Sequence, residues 1–445
     1  MSEEYAYLVA VIGAGPAGLF AARELASLGA RVVIINRDIK PGGLAEYGVY
    51  PDKHTMKEGF RKQFRQVLAN ENITYYGNVK VGEQADIRLD DLRKLGFQAI
   101  LVTVGAQGTK SLGLPGEQLK GVHYAKNVVY TYNKLPPFSR KRTCNTRRCA
   151  IIGAGNVMLD IVYYLIHEVH AEEAVAVVRR GPAQVNFTKE EMKRVIANLD
   201  LAAFETEMTR ILPSLKAIHQ DPEVGRHKVL DALARADPKY GETPFRFRFL
   251  SSPVAILGEK GWVTKLMITD NILEIRNGGI KARSTGSQHI LDVDRVVFAI
   301  GDKIDDAFGL PSNSSEFFKN PSPRYPVDGL SYEAFDPMDN SPIEDMFVGG
   351  WARKASDGLV GGARKDGTNA SKAVWQYLQT LHPTLPNLEA IDMKMKDLNK
   401  PVVTKDDVKK LEIVEAGEAQ KLGVEEFKFA SNEEMLQAIG LLVAA

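Results

Sequence analysis

The chain has 445 residues, 44% hydrophobic and 25% charged, with a formal net charge of +1. That length suits two or three globular domains, and the near-neutral balance argues against bulk attraction to nucleic acid or anionic lipid. No apolar run approaches the roughly 18 residues of a membrane span, and Met1-Ser2-Glu3-Glu4 carries no basic signal or Ser-rich presequence, so a cytoplasmic protein is expected. The two cysteines, Cys144 and Cys149, are fewer than the ligands of a conventional iron–sulfur cluster and are not spaced as Cys-x-x-Cys. Two reduced thiols are expected, and no metal site.

Residues 6–12 read as a β-branched apolar strand entering the turn Gly13-Ala14-Gly15-Pro16-Ala17-Gly18. A helix follows over 16–29, with Leu19, Ala22, Leu25 and Ala26 at helical spacing, then a strand over 31–36. Gly and Pro punctuate 41–52 as a loop, a helical run occupies 55–69 and a strand 97–104. Residues 106–148 read as a connector. A second strand, turn and helix begin at 149, with Gly153-Ala154-Gly155-Asn156-Val157-Met158 at the turn, a helix over 156–169 and a strand over 174–178 that runs into Arg179-Arg180-Gly181-Pro182. Residues 188–235 are mostly helical, 246–300 strand-rich, and 311–345, dense in Pro, Ser, Asn and Asp, read as loop. Met346-Phe347-Val348-Gly349-Gly350-Trp351 is a strand into a turn, and a helix over 367–380 precedes the tail.

Both glycine-rich turns sit where a dinucleotide needs them, between an apolar strand and a helix. The first glycine permits the bend, the second lets a pyrophosphate approach the backbone, and the third lets helix and strand pack closely. The N–H groups at the helix start then face the phosphates. Gly13, Gly15 and Gly18 complete the first set, whereas the second has Met158, an adaptable side chain, at its third position. Arg179 and Arg180, closing the next strand, suit the 2′-phosphate of NADP, because a planar guanidinium matches phosphate oxygens. The first unit's second strand ends in Asn36 where an acidic ribose anchor is usual; Asn accepts a hydrogen bond without charge, and Asp38 is close by. The expected fold class is α/β with two Rossmann-like dinucleotide-binding domains, holding two nucleotides face to face as in flavin and nicotinamide oxidoreductases.

The loop Gly43-Leu44-Ala45-Glu46-Tyr47-Gly48-Val49-Tyr50-Pro51-Asp52 resembles that of the adrenodoxin reductase family, the NADPH-dependent, FAD-containing ferredoxin reductases related to the glutamate synthase small subunit. The likeness continues in colinear order through residues 77–82, 114–117, 155–160, 179–182 and 184–188, Gly350-Trp351, and the tail segments 415–418 and 432–436. It implies an FAD domain over 1–108 and 331–445, interrupted by an NADP domain over 109–330. It also implies FAD contacts at Ala17, Asn36, Leu44, Val81, Trp351 and Gly358-Leu359-Val360. Ala154, Gly155, Asn156 and Val157 would hold the NADP pyrophosphate, Arg179 and Arg180 would clasp the 2′-phosphate, and Glu191 would face the nicotinamide end.

Three departures from the family pattern bear on the chemistry. Lys53 follows Pro51-Asp52 where the family has a His, with His54 one place later, and is expected to pair with Asp160, a fixed charge replacing a titrating one. Tyr163 stands where the family has an Arg. Ala355-Ser356-Asp357-Gly358 replaces a Gly-Pro-Thr-Gly, so Asp357 brings a negative charge near the flavin and nicotinamide rings. Asp160, Lys53 and Glu191 are the candidate catalytic positions. The implied activity is hydride transfer from NAD(P)H to FAD and single-electron transfer to a ferredoxin-type iron–sulfur partner, or the reverse. An acidic ferredoxin would dock on a basic surface, for which Arg226, His227, Lys228 and Arg235 are candidates. Two other readings stay open: an NADPH-linked flavoprotein subunit of a larger redox complex, and a flavoprotein that has lost NADPH oxidation and serves a binding role.

Overall fold

The computed structural model describes residues 5–139, 146–313, 315–354 and 360–443. The chain divides into two compact units, one of Met1–Thr109, Tyr130–Lys141 and Gly301–Ala445, the other of Lys110–Val129 and Arg142–Ile300.

In the first unit the β-branched runs become strands buried on both faces: β1 (Leu8–Ile12) and β4 (Ala99–Val102) are buried throughout, and β2 (Arg31–Ile35) everywhere but at Arg31. They belong to a six-stranded sheet in the order Glu333–Asp336, Ser341–Val348, β4, β1, β2, β3 (Ile73–Tyr76). All neighbours pair parallel except Glu333–Asp336 with Ser341–Val348. A parallel sheet needs cover on both faces. On one side Val9, Val11, Ile34 and Leu101 meet α1 (Pro16–Ser27) and the Val360–Leu378 helix. On the other, Ala10, Ile12, Val33 and Val102 lie under Ile304, Phe308, Phe317 and Met395. Read from β3, this is the doubly wound strand order of dinucleotide-binding sheets.

The second unit repeats the device. Its five-stranded parallel sheet runs Val122–Tyr124, Arg295–Phe298, β5 (Arg148–Ile152), β6 (Glu173–Val177), Phe245–Arg248, and α4 (Asn156–Tyr164) follows β5. A separate antiparallel sheet of Ser251–Glu259, Trp262–Arg276 and Gly279–Asp292 packs Ile256, Val263, Leu266 and Ile268 against Ala150, Ile152, Val296 and Phe298.

The domain boundaries differ from those expected. The return to the first unit comes at Gly301, not 331, because Asp302–Lys303 pairs with Gly108–Thr109 and Phe308, Leu310 and Phe317 enter the first unit's core. Residues from Tyr130 also return to it, where Tyr130 and Leu135 pack on Tyr47. The connector holds an edge strand and a helix (Ala125–Tyr132) rather than loop alone. Residues 311–345 hold the first strand and turn of a hairpin, with Pro337, Asp339 and Asn340 at the turn between Glu333–Asp336 and Ser341–Val348. The expected helix to 169 closes as a π turn over Leu165–Val169. Cys149 is buried on β5, and burial pushes its thiol up; Cys144 lies outside the described residues.

Packing between α1 and the Val360–Leu378 helix requires glycine: a Cβ on Gly367 would fall on the Ala17 carbonyl oxygen. Gly417, within the Lys405–Leu422 helix, has nothing within 4 Å of its Cβ position. Gly367→Ala is therefore expected to lower unfolding stability by about 1–3 kcal/mol. Gly417→Ala is expected to raise it by about 0.5–1 kcal/mol, both read from urea unfolding.

Candidate functional site

β1 delivers the first turn. Gly13 takes φ +103, and its Cβ position lies 2.7 Å from the Thr103 carbonyl oxygen just past β4. The Thr103 hydroxyl lies 3.0 and 2.9 Å from the carbonyl oxygens of Ile12 and Gly13, to which it donates. A Cβ on Gly18 would fall on the Gly13 carbonyl oxygen, so only glycine lets α1 begin there. Gly15 is the opposite case, with nothing within 4 Å of its Cβ position. No side chain caps α1, so its first N–H groups are left for an anion. Two further segments converge on this turn: the Cβ position of Gly43 is 3.2 Å from Gly15 Cα, and that of Gly350 is 2.7 Å from Ala17 Cβ. Leu44, opening α2 (Leu44–Tyr47), and Trp351 are thereby brought to the turn's neighbourhood. Asp366 fixes the second segment by accepting from Gly350 N–H at 2.6 Å and Arg353 Nε at 3.0 Å. Val360 opens its helix, while Gly358, Leu359 and Asp357 lie outside the described residues.

Asn36 is buried and turned inward. Its Oδ1 accepts from Ala14 N–H at 3.0 Å, and its Nδ2 donates to the carbonyls of Asp38 and Lys40 at 2.8 and 3.1 Å. The amide hydrogens hold the loop that follows β2, and the amide oxygen ties the end of β2 to the turn. Asp38 accepts from Arg37 Nε at 3.1 Å. Val81 packs its side chain into the core with Ile12 and Val102.

α2 is pinned by buried charges that the sequence reading missed. Glu46, only 3% exposed, accepts two hydrogen bonds from Arg61 of α3 (His54–Leu68), at 2.8 and 2.7 Å. It also pairs with Lys428 at 2.9 Å and Lys40 at 3.4 Å. Lys40 continues to Glu415, and Arg61 to Glu426. Burial alone would raise the Glu46 carboxyl, but Lys40, Lys428 and Arg61 outweigh it and hold it well below the usual carboxylate range. Lys57 donates to Asn133 Oδ1 at 2.9 Å, and burial pushes its ammonium down to about 8. The available signal was a lone acid in a loop of glycines, aliphatics and tyrosines. Lys53 immediately precedes α3 without a side-chain cap, and the adjacent His54 meets Glu425 at 2.8 Å.

β5 delivers the second turn. A Cβ on Gly153 would fall on the Ala299 carbonyl oxygen, whereas Gly155 has nothing within 4 Å and α4 again starts without a side-chain cap. Met158 is fully buried, so this turn has room for a thioether where the first has a carbonyl. Ala154 O accepts from Asn186 N–H and Asn156 Oδ1 from Thr188 N–H, both at 2.8 Å, which fastens residues 186–188 to the turn beside the exposed Val157. Arg179 and Arg180 follow β6. Their carbonyls accept from Asn271 Nδ2 at 3.0 Å and Leu250 N–H at 3.2 Å. Among the described residues neither guanidinium has a hydrogen-bond or ion-pair partner.

Asp160 on α4 and Glu191 on α5 (Lys189–Met192) come together through Arg194, whose Nη1 lies 3.2 Å from a carboxylate oxygen of each. The guanidinium sits 4.0 Å over the Tyr163 ring, which stacks on His167 at 3.8 Å, and His167 on Tyr240 at 4.2 Å. Arg194 was not anticipated; its signal was a cation one helical turn after Glu191. Arg194 and Asp160 belong to the second unit and Lys53 to the first. The expected basic run is interleaved with acids. Arg226 pairs with Glu205 and Glu223, and Lys189 meets Asp231 at 2.5 Å, while Lys228 and Arg235 stay exposed. Among the described residues no helix is long and apolar enough to cross a membrane.

The family described as pyridine nucleotide-disulphide oxidoreductase matches residues 7–202. The mitochondrial NADPH:adrenodoxin oxidoreductase of Arabidopsis thaliana is 30% identical over 392 residues, covering 79% of this chain and 78% of that protein. NADPH-ferredoxin reductase FprA of Mycobacterium leprae is 29% identical over 415 residues, covering 86% and 87%. Among solved structures, Mycobacterium tuberculosis FprA in complex with NADPH matches with a TM-score of 0.81 at 25% identity, over 98% of this chain and 99% of that one.

Glu46→Gln would leave buried cations short of an anion, and a loss of about 3–5 kcal/mol in urea unfolding near neutral pH is expected. Because the folded state depresses the Glu46 pKa, its stabilisation is present above the unfolded value and lost as pH falls through the folded one. The acid limb of the stability profile should therefore be shallower in the variant.

Proposed function

Because the chain belongs to the NADPH:adrenodoxin oxidoreductase family, we propose that it passes electrons from NADPH through FAD to a ferredoxin-type iron–sulfur protein. The observation that carries this reading is a pair of unequal anion sites. Each has an uncapped helix start behind a glycine with nothing within 4 Å of its Cβ position, Gly15 and Gly155. Only the second has, beyond its next strand, two guanidiniums without a partner among the described residues. We therefore assign FAD to the first unit and NADPH to the second.

In the first unit the N–H groups around Gly15 and Ala17 would bind the FAD pyrophosphate, with Gly13 and Gly18 giving the turn its shape. Leu44 and Trp351 would line the site together with Val81, Gly358, Leu359 and Val360. Asn36 would act through its lock on Ala14 rather than by holding a ribose. In the second unit Ala154, Gly155, Asn156 and Val157 would bind the NADPH pyrophosphate. Arg179 and Arg180 would give the 2′-phosphate charge-assisted hydrogen bonds that NADH cannot receive. Asp160, Glu191 and Lys53 would orient the reacting ends. When bound, FAD supplies hydride acceptance and single-electron release, which no side chain here provides. For an acidic partner the exposed cations Lys228 and Arg235 offer the docking charge.

Anaerobic titration of the FAD-reconstituted protein tests this. NADPH should bleach the flavin, and the double variant Arg179→Ala, Arg180→Ala should lose at least about tenfold in preference for NADPH over NADH, with FAD content unchanged. Failure to take up FAD, or no bleaching by NADPH, would overturn the reading.

A further inference from the structure

We propose that Arg194 is a positioning residue of the NADPH site, binding Asp160 and Glu191 into one rigid unit that sets the place and charge of the nicotinamide end. The inference rests on the assignment of NADPH to the second unit.

The geometry closes a ring. Asn156, the first residue of α4, holds Thr188 N–H at 2.8 Å, and Thr188 caps α5 by accepting from Glu191 N–H at 3.3 Å. Arg194 then returns from just beyond α5 to Asp160 on the second turn of α4, at 3.2 Å. The α5 segment is thus tied at both ends to the helix whose free N–H groups form the anion site. Thr188 holds the Glu191 backbone, and Arg194 fixes its carboxylate relative to that site.

The charges give the same answer. The Arg194 side chain is 8% exposed, and the Asp160 and Glu191 side chains are 17% and 19% exposed. Two carboxylates this sheltered and sharing one nitrogen repel each other, and the Arg194 guanidinium between them offsets that repulsion. NADPH is itself a polyanion, and an uncompensated carboxylate pair beside its site would oppose binding. Tyr163 fixes the plane of the guanidinium from one side, and the His167 and Tyr240 rings back Tyr163 in turn. A lysine has neither the fork nor the flat face for this seat.

Arg194→Met in the FAD-loaded protein tests the proposal. Calorimetric titration with NADP+ should show affinity weakened by about tenfold, and the limiting rate of flavin reduction by NADPH should fall by about tenfold or more, as expected for loss of two charge-assisted contacts. The ratio of NADPH to NADH affinity should stay at the parent value, because Arg179 and Arg180 are untouched. Residue 163 lies one helical turn from Asp160 on the same face, so adding Tyr163→Arg to Arg194→Met returns a cation to Asp160 and should recover much of the lost affinity and rate. Parental affinity and rate in Arg194→Met overturn the proposal. So does a loss that Tyr163→Arg leaves unrescued while thermal stability also falls, which marks a merely structural residue. If the parent binds NADP+ yet is never bleached by NADPH, the proposed function fails, while the calorimetric comparison still decides the role of Arg194.

Discussion

Backbone packed directly on backbone is the constraint on which the first unit depends. The Cβ positions of Gly13, Gly18 and Gly367 are occupied by the carbonyls of Thr103, Gly13 and Ala17. With no side chain at these points, α1 lies down on the sheet, and the Val360–Leu378 helix lies down on α1. The start of α1 emerges uncapped at the sheet's carboxyl edge, the place where open α/β sheets bind ligands. The loop at Gly43 and the segment at Gly350 reach the turn because nothing thicker than glycine intervenes.

The two units share this device and differ in how they use charge. Around the first turn, Lys40, Arg61 and Lys428 converge on Glu46, and Glu415 and Glu426 answer them from the C-terminal segment. These charges are consumed in folding. Well-packed apolar groups could match their net stability, but removing one member strands the others without water. In the second unit the carbonyls of Arg179 and Arg180 are held by Asn271 and Leu250, and among the described residues their guanidiniums have no partner. Arg194 is intermediate: a protein-bound cation whose partners include the carboxylates of Asp160 and Glu191.

Both glycine turns, their strands and helices, and the arginine pair were readable along the chain. Each is a local pattern, a β-branched run followed by residues that alone permit a sharp bend. The edge strand Glu333–Asp336 was not, because it lies in a stretch of loop-like composition and exists only by pairing with Ser341–Val348, whose end at 346–348 was readable. The boundary at Gly301 was hidden for a similar reason. A two-residue pairing with Gly108–Thr109 decides it, and no periodicity marks so short a strand.

The shape of each glycine-rich turn follows from residues adjacent in the chain, since steric limits on glycine and the dipole of a helix start act over a few residues. Which charges meet was settled by folding alone. Arg194, which was not anticipated, lies 3.2 Å from Asp160. Asn36 was expected to reach toward a ribose, yet its amide is locked to Ala14. Glu46 finds Lys428 across most of the chain's length. Coulomb energy and hydrogen bonding depend on distance in space, and burial makes those distances decisive by removing the water that would screen them.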